Sequence, residues 1–246
     1  MNLRFFVLFM VFTFLISIPV FASINDGLIG YWPMDEGSGD KVADASGNGN
    51  DGTANGVQWV DGKYNKALEF DGATSNVDIP YFAEVTPAQG TTIAVWVFPT
   101  DDTRSCVVGQ FEAYGMALFT GLQLKSVIWG DDWVEATATI PLNEWSHLAM
   151  TWDQENAERM MFVNGEMVAH KEGALPVPEV QNNLGIGVWI GWPEAWGDDW
   201  FMGIIDDVRL WNRVLSADEV GQATEPAAVK PEDKLTTLWS GVKTSL

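Results

Sequence analysis

The stretch Met160-Met161-Phe162-Val163-Asn164-Gly165-Glu166-Met167-Val168 places two apolar runs on either side of Asn-Gly. Asn and Gly accept the positive φ values of a two-residue turn whose twist matches that of paired antiparallel strands. The stretch therefore predicts a β-hairpin. Upstream, Thr92–Phe98 is apolar at successive positions, so both faces of a strand there would be buried. This pattern indicates a strand in the middle of a sheet.

Short apolar runs of the same kind cover most of the chain, separated by Gly, Asn, Asp and Pro, and almost nothing repeats at helical period. We predict strands at Leu28–Met34, Ala67–Phe70, Thr91–Phe98, Ser105–Phe111, Leu122–Trp129, Trp133–Ile140, Trp145–Trp152, Met160–Asn164, Glu166–His170, Leu184–Ile190 and Phe201–Trp211. So many strands indicate an all-β fold of two packed antiparallel sheets. Ser216 and Glu219 have capping-box spacing and predict one short C-terminal helix.

The composition excludes several classes of protein. The 246 residues include 13 Lys and Arg against 34 Asp and Glu, a formal net charge of −21. A nucleic-acid-binding surface needs clustered cationic side chains, so nucleic acid is excluded as the main partner. The 13 Trp and 13 Phe residues supply more apolar surface than a disordered chain carries. The chain therefore has the length and composition of one globular domain with a buried core.

The two ends of the chain differ from its middle. Residues 1–22 combine a short basic leader, an apolar run and Val20-Phe21-Ala22, which is the pattern of a signal peptide cleaved after Ala22. An uncleaved anchor is the alternative, but the run is shorter than the roughly 20 residues that cross a bilayer. We predict a domain at 23–222, secreted or held at the cell surface or in the periplasm, with no membrane span after cleavage. Residues 223–246 have the composition of a linker-like tail.

Several stretches along the chain carry a family signature. They are Gly27–Gly39 with Asp44–Gly52, Ala67–Gly72, Asn143–His147, Phe162–Gly165 and Gly203–Ser216. Together they resemble a laminin-G-like domain of the concanavalin A-like lectin/glucanase type, in the expected order over about residues 24–222. The resemblance implies a two-sheet antiparallel jelly-roll sandwich. The same fold carries lectins, glycan-binding modules of larger enzymes, adhesion domains and glycanases, so it does not by itself select a function.

One acidic loop suits a hard cation. Asp44-x-Ser46-x-Asn48-Gly49 repeats oxygen donors at alternate positions ahead of a glycine, a spacing that folds a loop around calcium. An ordinary Asx turn explains the same residues without a metal. The resemblance implies one structural calcium near the junction of the first and last strands, which would add Asp35 and Asp206 to the loop. The predicted calcium ligands are therefore Asp35, Asp44, Asn48 and Asp206.

The pentapeptide Trp-Gly-Asp-Asp-Trp occurs twice, at 129–133 and 196–200, and together with Trp189 and Trp192 it holds six of the thirteen tryptophans. Sugars stack their C–H faces on indole rings, and their hydroxyl groups donate hydrogen bonds to carboxylates. We predict that both loops open at one end of the sandwich and form one ligand site from Trp129, Asp131, Asp132, Trp133, Trp189, Trp192, Trp196, Asp198, Asp199 and Trp200. The alternatives are that these tryptophans fill the core or staple the loops, or that they form a protein-binding patch.

The sequence pattern disfavours a glycan-cleaving enzyme. Retaining glycanases of the resembling fold carry their carboxylates on one strand, roughly as Glu-x-Asp-x-x-Glu, and the nearest fragment here, Glu69-Phe70-Asp71, lacks the third acid. We predict no catalytic residues and a secreted, lectin-like domain that binds carbohydrate or a cell-surface glycan, with a structural calcium. The main alternative is an extracellular adhesion or assembly module that binds another protein through the Trp-rich loops. A glycan-cleaving enzyme would need a carboxylate pair in the ligand site formed by the two Trp-rich loops.

Overall fold

The computed structural model describes residues 23–191 and 199–226, which form two facing antiparallel sheets and one helix. The predicted signal peptide and most of the predicted tail lie outside these residues. Sheet A contains β1 (Leu28–Trp32), β4 (Gln58–Asp61), β5 (Lys66–Asp71), β7 (Gly90–Pro99), β12 (Ser146–Asp153), β13 (Glu158–Val163), β14 (Glu166–Glu172) and β16 (Met202–Trp211). Sheet B contains β2 (Lys41–Val42), β3 (Gly52–Asn55), β6 (Asn76–Ile79), β8 (Ser105–Gln110), β9 (Tyr114–Phe119), β10 (Gln123–Ile128), β11 (Val134–Thr139) and β15 (Leu184–Ile186). The helix α1 spans Ala217–Ala223, and a short 3₁₀ turn spans Ala83–Val85.

Strands distant in sequence are neighbours in both sheets. Sheet A has the order β14-β13-β12-β7-β16-β5-β4, with β1 also paired to β16, and sheet B has the order β11-β10-β9-β8-β15-β6-β3-β2. The first and last strands therefore lie side by side. Antiparallel pairing throughout, with long crossovers between sheets, confirms the predicted two-sheet jelly-roll sandwich with one short C-terminal helix.

The core lies between the sheets, and β7 shows how it is filled. Its residues Ile93, Val95 and Val97 point inward and are at most 1% exposed. The alternate residues Ala94 and Trp96 point outward and are buried as well, because other segments cover that face of sheet A. Burial on both faces confirms the prediction of a middle strand.

The two local motifs of the sequence form as predicted. Asn164 and Gly165 have φ values of 51° and 83° at the turn between β13 and β14. At α1, the Ser216 hydroxyl accepts a hydrogen bond from the Glu219 N–H, while the Glu219 carboxylate accepts one from the Ser216 N–H. The helix then packs Val220 on the outer face of sheet A.

Five strands were not predicted from the sequence, namely β2, β3, β4, β6 and β9. The first four have only two to four residues, too few to establish an alternating pattern. The predicted strand Leu184–Ile190 is shorter than expected and ends at Ile186. Gly187 has a φ of +82°, so the chain turns there and carries Trp189 out onto the far face of sheet B.

Candidate functional site

The first Trp-Gly-Asp-Asp-Trp segment forms the turn between β10 and β11. Gly130 has a φ of +86°, and the Asp131 N–H donates to the Ile128 carbonyl at 2.9 Å, which closes the turn. The half-buried Trp129 packs edge-on against Phe111, with ring centroids 5.3 Å apart. Trp133, at the other end of the turn, is 36% exposed, so one indole of the motif is open to solvent.

Trp189 lies flat beneath this turn. Its indole is only 4% exposed and covers Gly109 of β8 and Gly115 of β9. A Cβ atom at either glycine would lie 2.1 or 2.5 Å from the indole ring, so only glycine lets the ring approach the strands so closely. The result is a shallow surface depression with a solvent space of about 10 Å³, called here the Trp-rich cleft, lined by Gln110, Phe111, Glu112, Ala113, Tyr114, Val127, Trp129, Trp133 and Trp189.

The two aspartates of the first motif have different environments. The Asp131 side chain is 8% exposed, and its carboxylate accepts a hydrogen bond from Lys171 Nζ at 2.5 Å. Burial works against ionisation of Asp131, but the hydrogen bonds from Lys171 and from backbone N–H groups outweigh it and lower the pKa. The Asp132 carboxylate is 97% exposed. Asp131 therefore anchors the loop, while Asp132 is available to a ligand.

A fully buried guanidinium completes this anchor. Arg159 of β13 donates from Nη2 to the Asp132 carbonyl at 2.5 Å and lies 3.6 Å from the Asp131 carboxylate. Arg159 and Lys171 both belong to sheet A, whereas the loop belongs to sheet B. The ionic contact therefore ties the edges of the two sheets together beneath the Trp-rich cleft.

Only the end of the second motif can be located. Trp192, Trp196 and Asp198 lie outside the described residues. Asp199 is 3% exposed, and its carboxylate accepts a hydrogen bond from Arg104 Nη2 at 2.9 Å. Its carbonyl also accepts from the Cys106 N–H at 2.8 Å. Asp199 thus attaches the segment to β8 and is not free to orient a sugar hydroxyl.

The described parts of the two motifs lie on the same side of the molecule. Arg104, the partner of Asp199, stacks over Phe119 at 4.9 Å from its ring centroid. Phe119 in turn packs against Trp133 of the first motif, with ring centroids 5.0 Å apart. Trp200, half-buried, directly follows Asp199. Tertiary folding therefore brings sequence-distant parts of the two motifs to the outer face of sheet B.

The loop predicted to bind calcium is closed by its own hydrogen bonds. The Asp44 carboxylate accepts from the N–H groups of Tyr31, Ser46 and Asn50 at 2.8–3.0 Å and from the Ser46 hydroxyl at 2.8 Å. The Asn48 amide donates to the Leu28 carbonyl and to the Ser46 hydroxyl. Donors occupy the oxygens that a cation would need, which is the geometry of an Asx turn.

The other two predicted ligands face different partners. Asp35 accepts hydrogen bonds from the Asn65 amide and the Lys66 N–H, and Asp206 accepts one from the Tyr64 N–H. Within residues 23–191 and 199–226, no three His, Cys, Asp or Glu side chains are grouped as a metal site. Asp35, Asp44, Asn48 and Asp206 each form hydrogen bonds within the chain, and calcium binding by this set stays a prediction.

Asp206 and its neighbour Asp207 occupy a β-bulge in β16, where Asp207 has a φ of +51°. Burial, with lesser contributions that include the Asp207 charge, raises the pKa of Asp206 to about 7. Asp207 forms an ion pair with Arg209 at 2.6 Å and accepts a hydrogen bond from the Tyr31 hydroxyl. Asp207 was not among the predicted site residues, because no sequence pattern shows that two adjacent acids in a strand are buried.

A family model described as Laminin_G_3, concanavalin A-like lectin/glucanases superfamily, matches residues 71–221. The pentraxin-related protein PTX3 of Mus musculus is 26% identical over 143 residues, which are 51% of this chain and 36% of that protein. This chain therefore matches only about a third of the length of that relative. None of the helices in the described part of the chain is long and apolar enough to cross a membrane.

Solved structures share the fold. Domain 4 of AbnA, a GH43 extracellular arabinanase from Geobacillus stearothermophilus solved with arabinotriose, superposes with a TM-score of 0.64 at 21% identity, covering 80% of this chain and 98% of that one. The binding domain of Paraclostridial mosquitocidal protein 1 superposes with a TM-score of 0.65 at 19% identity, covering 81% and 52% of the two chains. At these identities, the likeness establishes the fold.

Proposed function

The chain belongs to the concanavalin A-like lectin/glucanase superfamily, and we propose that it is an exported, non-catalytic domain that binds carbohydrate in its Trp-rich cleft. The observation that carries this proposal is the exposed Trp133 indole of the cleft, next in sequence to the exposed Asp132 carboxylate, with Trp189 in the same lining. An indole face offers a stacking surface for the C–H groups of a sugar ring. A carboxylate beside it accepts hydrogen bonds from the hydroxyl groups.

The rigidity of the cleft supports this function. The ion pairs of Asp131 and Asp199 hold the two ends of the aromatic surface on the sandwich, and Gly109 and Gly115 fix the depth of Trp189. A preorganised aromatic surface loses little conformational entropy when a ligand stacks on it. Each indole that stacks contributes about 1 kcal/mol beyond burial of apolar area.

The acids around the cleft favour binding over cleavage. Glycoside hydrolysis needs a pair of carboxyl groups, roughly 5 Å apart in retaining enzymes and roughly 6.5 to 9.5 Å apart in inverting ones. Among the described residues that line the Trp-rich cleft, Glu112 is the one acid. Asp131 and Asp199 are engaged in ion pairs below the surface. This arrangement supports a non-catalytic domain.

The relatives add support from outside the chain. The arabinanase domain is solved with a bound oligosaccharide, and the mosquitocidal protein domain is described as a binding domain. The arabinanase is extracellular, in keeping with export of this chain through its predicted signal peptide. Mass spectrometry of the mature protein tests export, since we expect the chain to begin at Ser23. An intact Met1 on the mature material would contradict it.

The adhesion hypothesis rests on the apolar lining of the same cleft, which would also accept an aromatic side chain of another extracellular protein. The two functions differ in the ligand that perturbs the tryptophans. Free oligosaccharides change the indole fluorescence of a carbohydrate-binding domain and leave that of an adhesion module unchanged.

Calorimetry and Trp fluorescence with arabinotriose, cellotriose, maltotriose and N-acetylchitotriose test the proposal. We expect at least one trisaccharide to bind, and Trp133→Ala to weaken that binding about tenfold, which corresponds to about 1.4 kcal/mol. The matched control is Trp59→Ala, because Trp59 is a partly exposed tryptophan of β4 outside the cleft. Equal affinities of the two variants, or no response to any of the four sugars, would reject the proposed function.

A further inference from the structure

A second aromatic cleft lies on the outer face of sheet A, on the opposite side of the sandwich from the Trp-rich cleft. It is an open cleft of about 370 Å³ and is called here the sheet A cleft. Its walls come from β7, from the segment before β12, from the β4–β5 and β13–β14 turns, and from the segment after α1. The lining residues are Lys63, Tyr64, Trp96, Trp145, Asn164, Thr224 and Glu225.

Three outward-facing side chains form one row across the sheet, and the middle one, Trp96, lines this cleft. Trp96 of β7 is the cross-strand partner of His147 on β12 and of Asp206 on β16. The Trp96 and His147 rings are 5.3 Å apart between centroids. The row is fixed by backbone pairing of three adjacent strands, so it forms a rigid floor.

Each member of this row carries a buried polar atom that has no hydrogen-bond partner in the described part of the chain. These atoms are Trp96 Nε1, His147 Nδ1 and Asp206 Oδ1, and their side chains are 7%, 1% and 0% exposed. An unsatisfied buried polar atom costs roughly 1–3 kcal/mol, so three in one row are unusual in a folded protein. Because Trp96, in the middle of the row, also lines the open cleft, the row points to a polar ligand there.

The rim of the cleft supplies further unused donors. Lys63 Nζ lies 4.1 Å from the Trp96 ring centroid and forms no ion pair with the residues described here. Asn164 uses its amide oxygen to accept from the His147 N–H at 2.9 Å, while its amide nitrogen donates to none of the described residues. These donors suit a ligand with several hydroxyl oxygens.

The aromatic walls are held in place. The Tyr64 hydroxyl donates to the Thr224 carbonyl at 2.6 Å, and its ring packs edge-on against Trp96 with centroids 6.2 Å apart. The half-buried Trp145 packs on Phe98 with centroids 5.6 Å apart. Trp145 is therefore the partly exposed indole of this cleft, in the position that Trp133 occupies in the other one.

The charge at the rim selects the class of ligand. Lys63 and Glu225 contribute one charge of each sign, so the lining side chains are neutral together. The chain as a whole carries −21, which disfavours anionic ligands such as uronates or sulfated sugars. Aromatic walls, amide and ammonium donors and a carboxylate acceptor together match a neutral saccharide.

We propose that the sheet A cleft is a second binding site for a neutral saccharide, so that one chain binds two sugars on opposite faces of the sandwich. The proposal rests on the carbohydrate-binding function of the Trp-rich cleft. Two sites that face away from each other cannot engage one short oligosaccharide at once. They can join two glycan chains, which multiplies avidity for a polysaccharide without any new contact.

Calorimetry with the same four trisaccharides, at millimolar concentration, tests the second site through its stoichiometry. At sugar concentrations that leave a tenfold weakened site largely empty, we expect two sugars per wild-type chain, one for Trp145→Ala, one for Trp133→Ala and none for the double variant. A ratio of one that Trp145→Ala leaves unchanged would overturn the second site while the proposed function stands. The absence of binding to wild type would overturn both.

A second measurement separates loss of the site from loss of the fold. In the Trp133→Ala variant, ¹⁵N indole signals of Trp96 and Trp145 should shift with added trisaccharide, and those of Trp129 should stay in place. Lys63→Ala, which removes only a half-buried rim residue, should weaken this binding severalfold with an unchanged melting temperature. Indole shifts confined to Trp129 and Trp189 in the wild-type protein would contradict the proposal.

Discussion

The two aromatic clefts are built in different ways. The Trp-rich cleft on sheet B depends on loops, since Trp129, Trp133 and Trp189 all lie outside the strands. The sheet A cleft has a floor of strand residues, where Trp96 is held between its cross-strand partners. Loops need anchors to hold an aromatic surface, and here ion pairs supply them. Strands need none, because backbone hydrogen bonds fix the row. Mutations should therefore damage the first cleft through the anchors of its loops and the packing of Trp189, and the second through its strand residues.

The largest expected effect is on the anchor of the first cleft. Asp131→Asn removes the carboxylate beside the fully buried Arg159, and an unpaired buried charge costs about 3–5 kcal/mol. Chemical denaturation should therefore show a large loss of stability. The matched control is Asp132→Asn, whose carboxylate is exposed, and this variant should lose trisaccharide affinity without loss of stability. If Asp131→Asn is as stable as wild type, the ion pair does not anchor the loop.

The floor of the same cleft gives the next largest effect. In Gly109→Ala, the added methyl group would lie 2.1 Å from the Trp189 ring, and overpacking of this kind costs typically about 1–3 kcal/mol. Trisaccharide binding at the Trp-rich cleft should fall, and binding at the sheet A cleft should persist. Gly221→Ala is the control, because a Cβ there meets no atom within 4 Å. Equal melting temperatures of the two variants would contradict the close approach of Trp189.

The floor of the sheet A cleft should respond to pH. Burial, with a smaller contribution from Arg209, lowers the pKa of His147 to about 3. The unfolded chain takes up a proton near pH 6.5 and the folded chain does not, so stability present above pH 6.5 is lost as pH falls toward 3. The loss attributable to His147 is at most about 1.4 kcal/mol per pH unit.

Asp206 changes stability with pH in the direction opposite to that of His147. Its raised pKa of about 7 adds stability at acidic pH that is lost as pH rises from about 4 to 7. A His147→Gln variant separates the two groups, and we expect its stability to increase relative to that of wild type as pH falls from 6 to 4 in denaturant titrations. Parallel pH profiles would show that His147 is not held neutral by its surroundings.

The smallest expected effect is that of chelation. Because N–H and O–H donors already hold the Asp44 carboxylate in place, we expect the predicted calcium to raise the melting temperature only slightly above its value in EDTA. Differential scanning calorimetry of the same protein stock checks this. A melting temperature several degrees higher in calcium would show a larger contribution from the predicted metal site, since a ligand at a hundredfold excess over its Kd adds about 2.7 kcal/mol, and identical melting temperatures would contradict the site.

Most of the fold was predictable because its signals are local. The Asn164-Gly165 turn, the apolar run of β7 and the capping box at Ser216 each depend on residues close in sequence, and the structure confirms all three. The short strands β2, β3, β4 and β6 were not predictable, because their pairing is set by distant partners. A strand of two to four residues has no stable pattern of its own.

The features of the candidate sites likewise divide into those that local sequence predicts and those that depend on the tertiary structure. The sequence determined that tryptophans and aspartates are concentrated in two repeats and that Asp44 opens a turn, since composition and local spacing are enough for both. Only the tertiary structure decided that Asp131 and Asp199 form ion pairs that anchor their segments, while Asp132 faces solvent. It also decided that His147, Trp96 and Asp206 share one row. Burial and cross-strand register depend on residues far apart in the chain, and no local pattern carries that information.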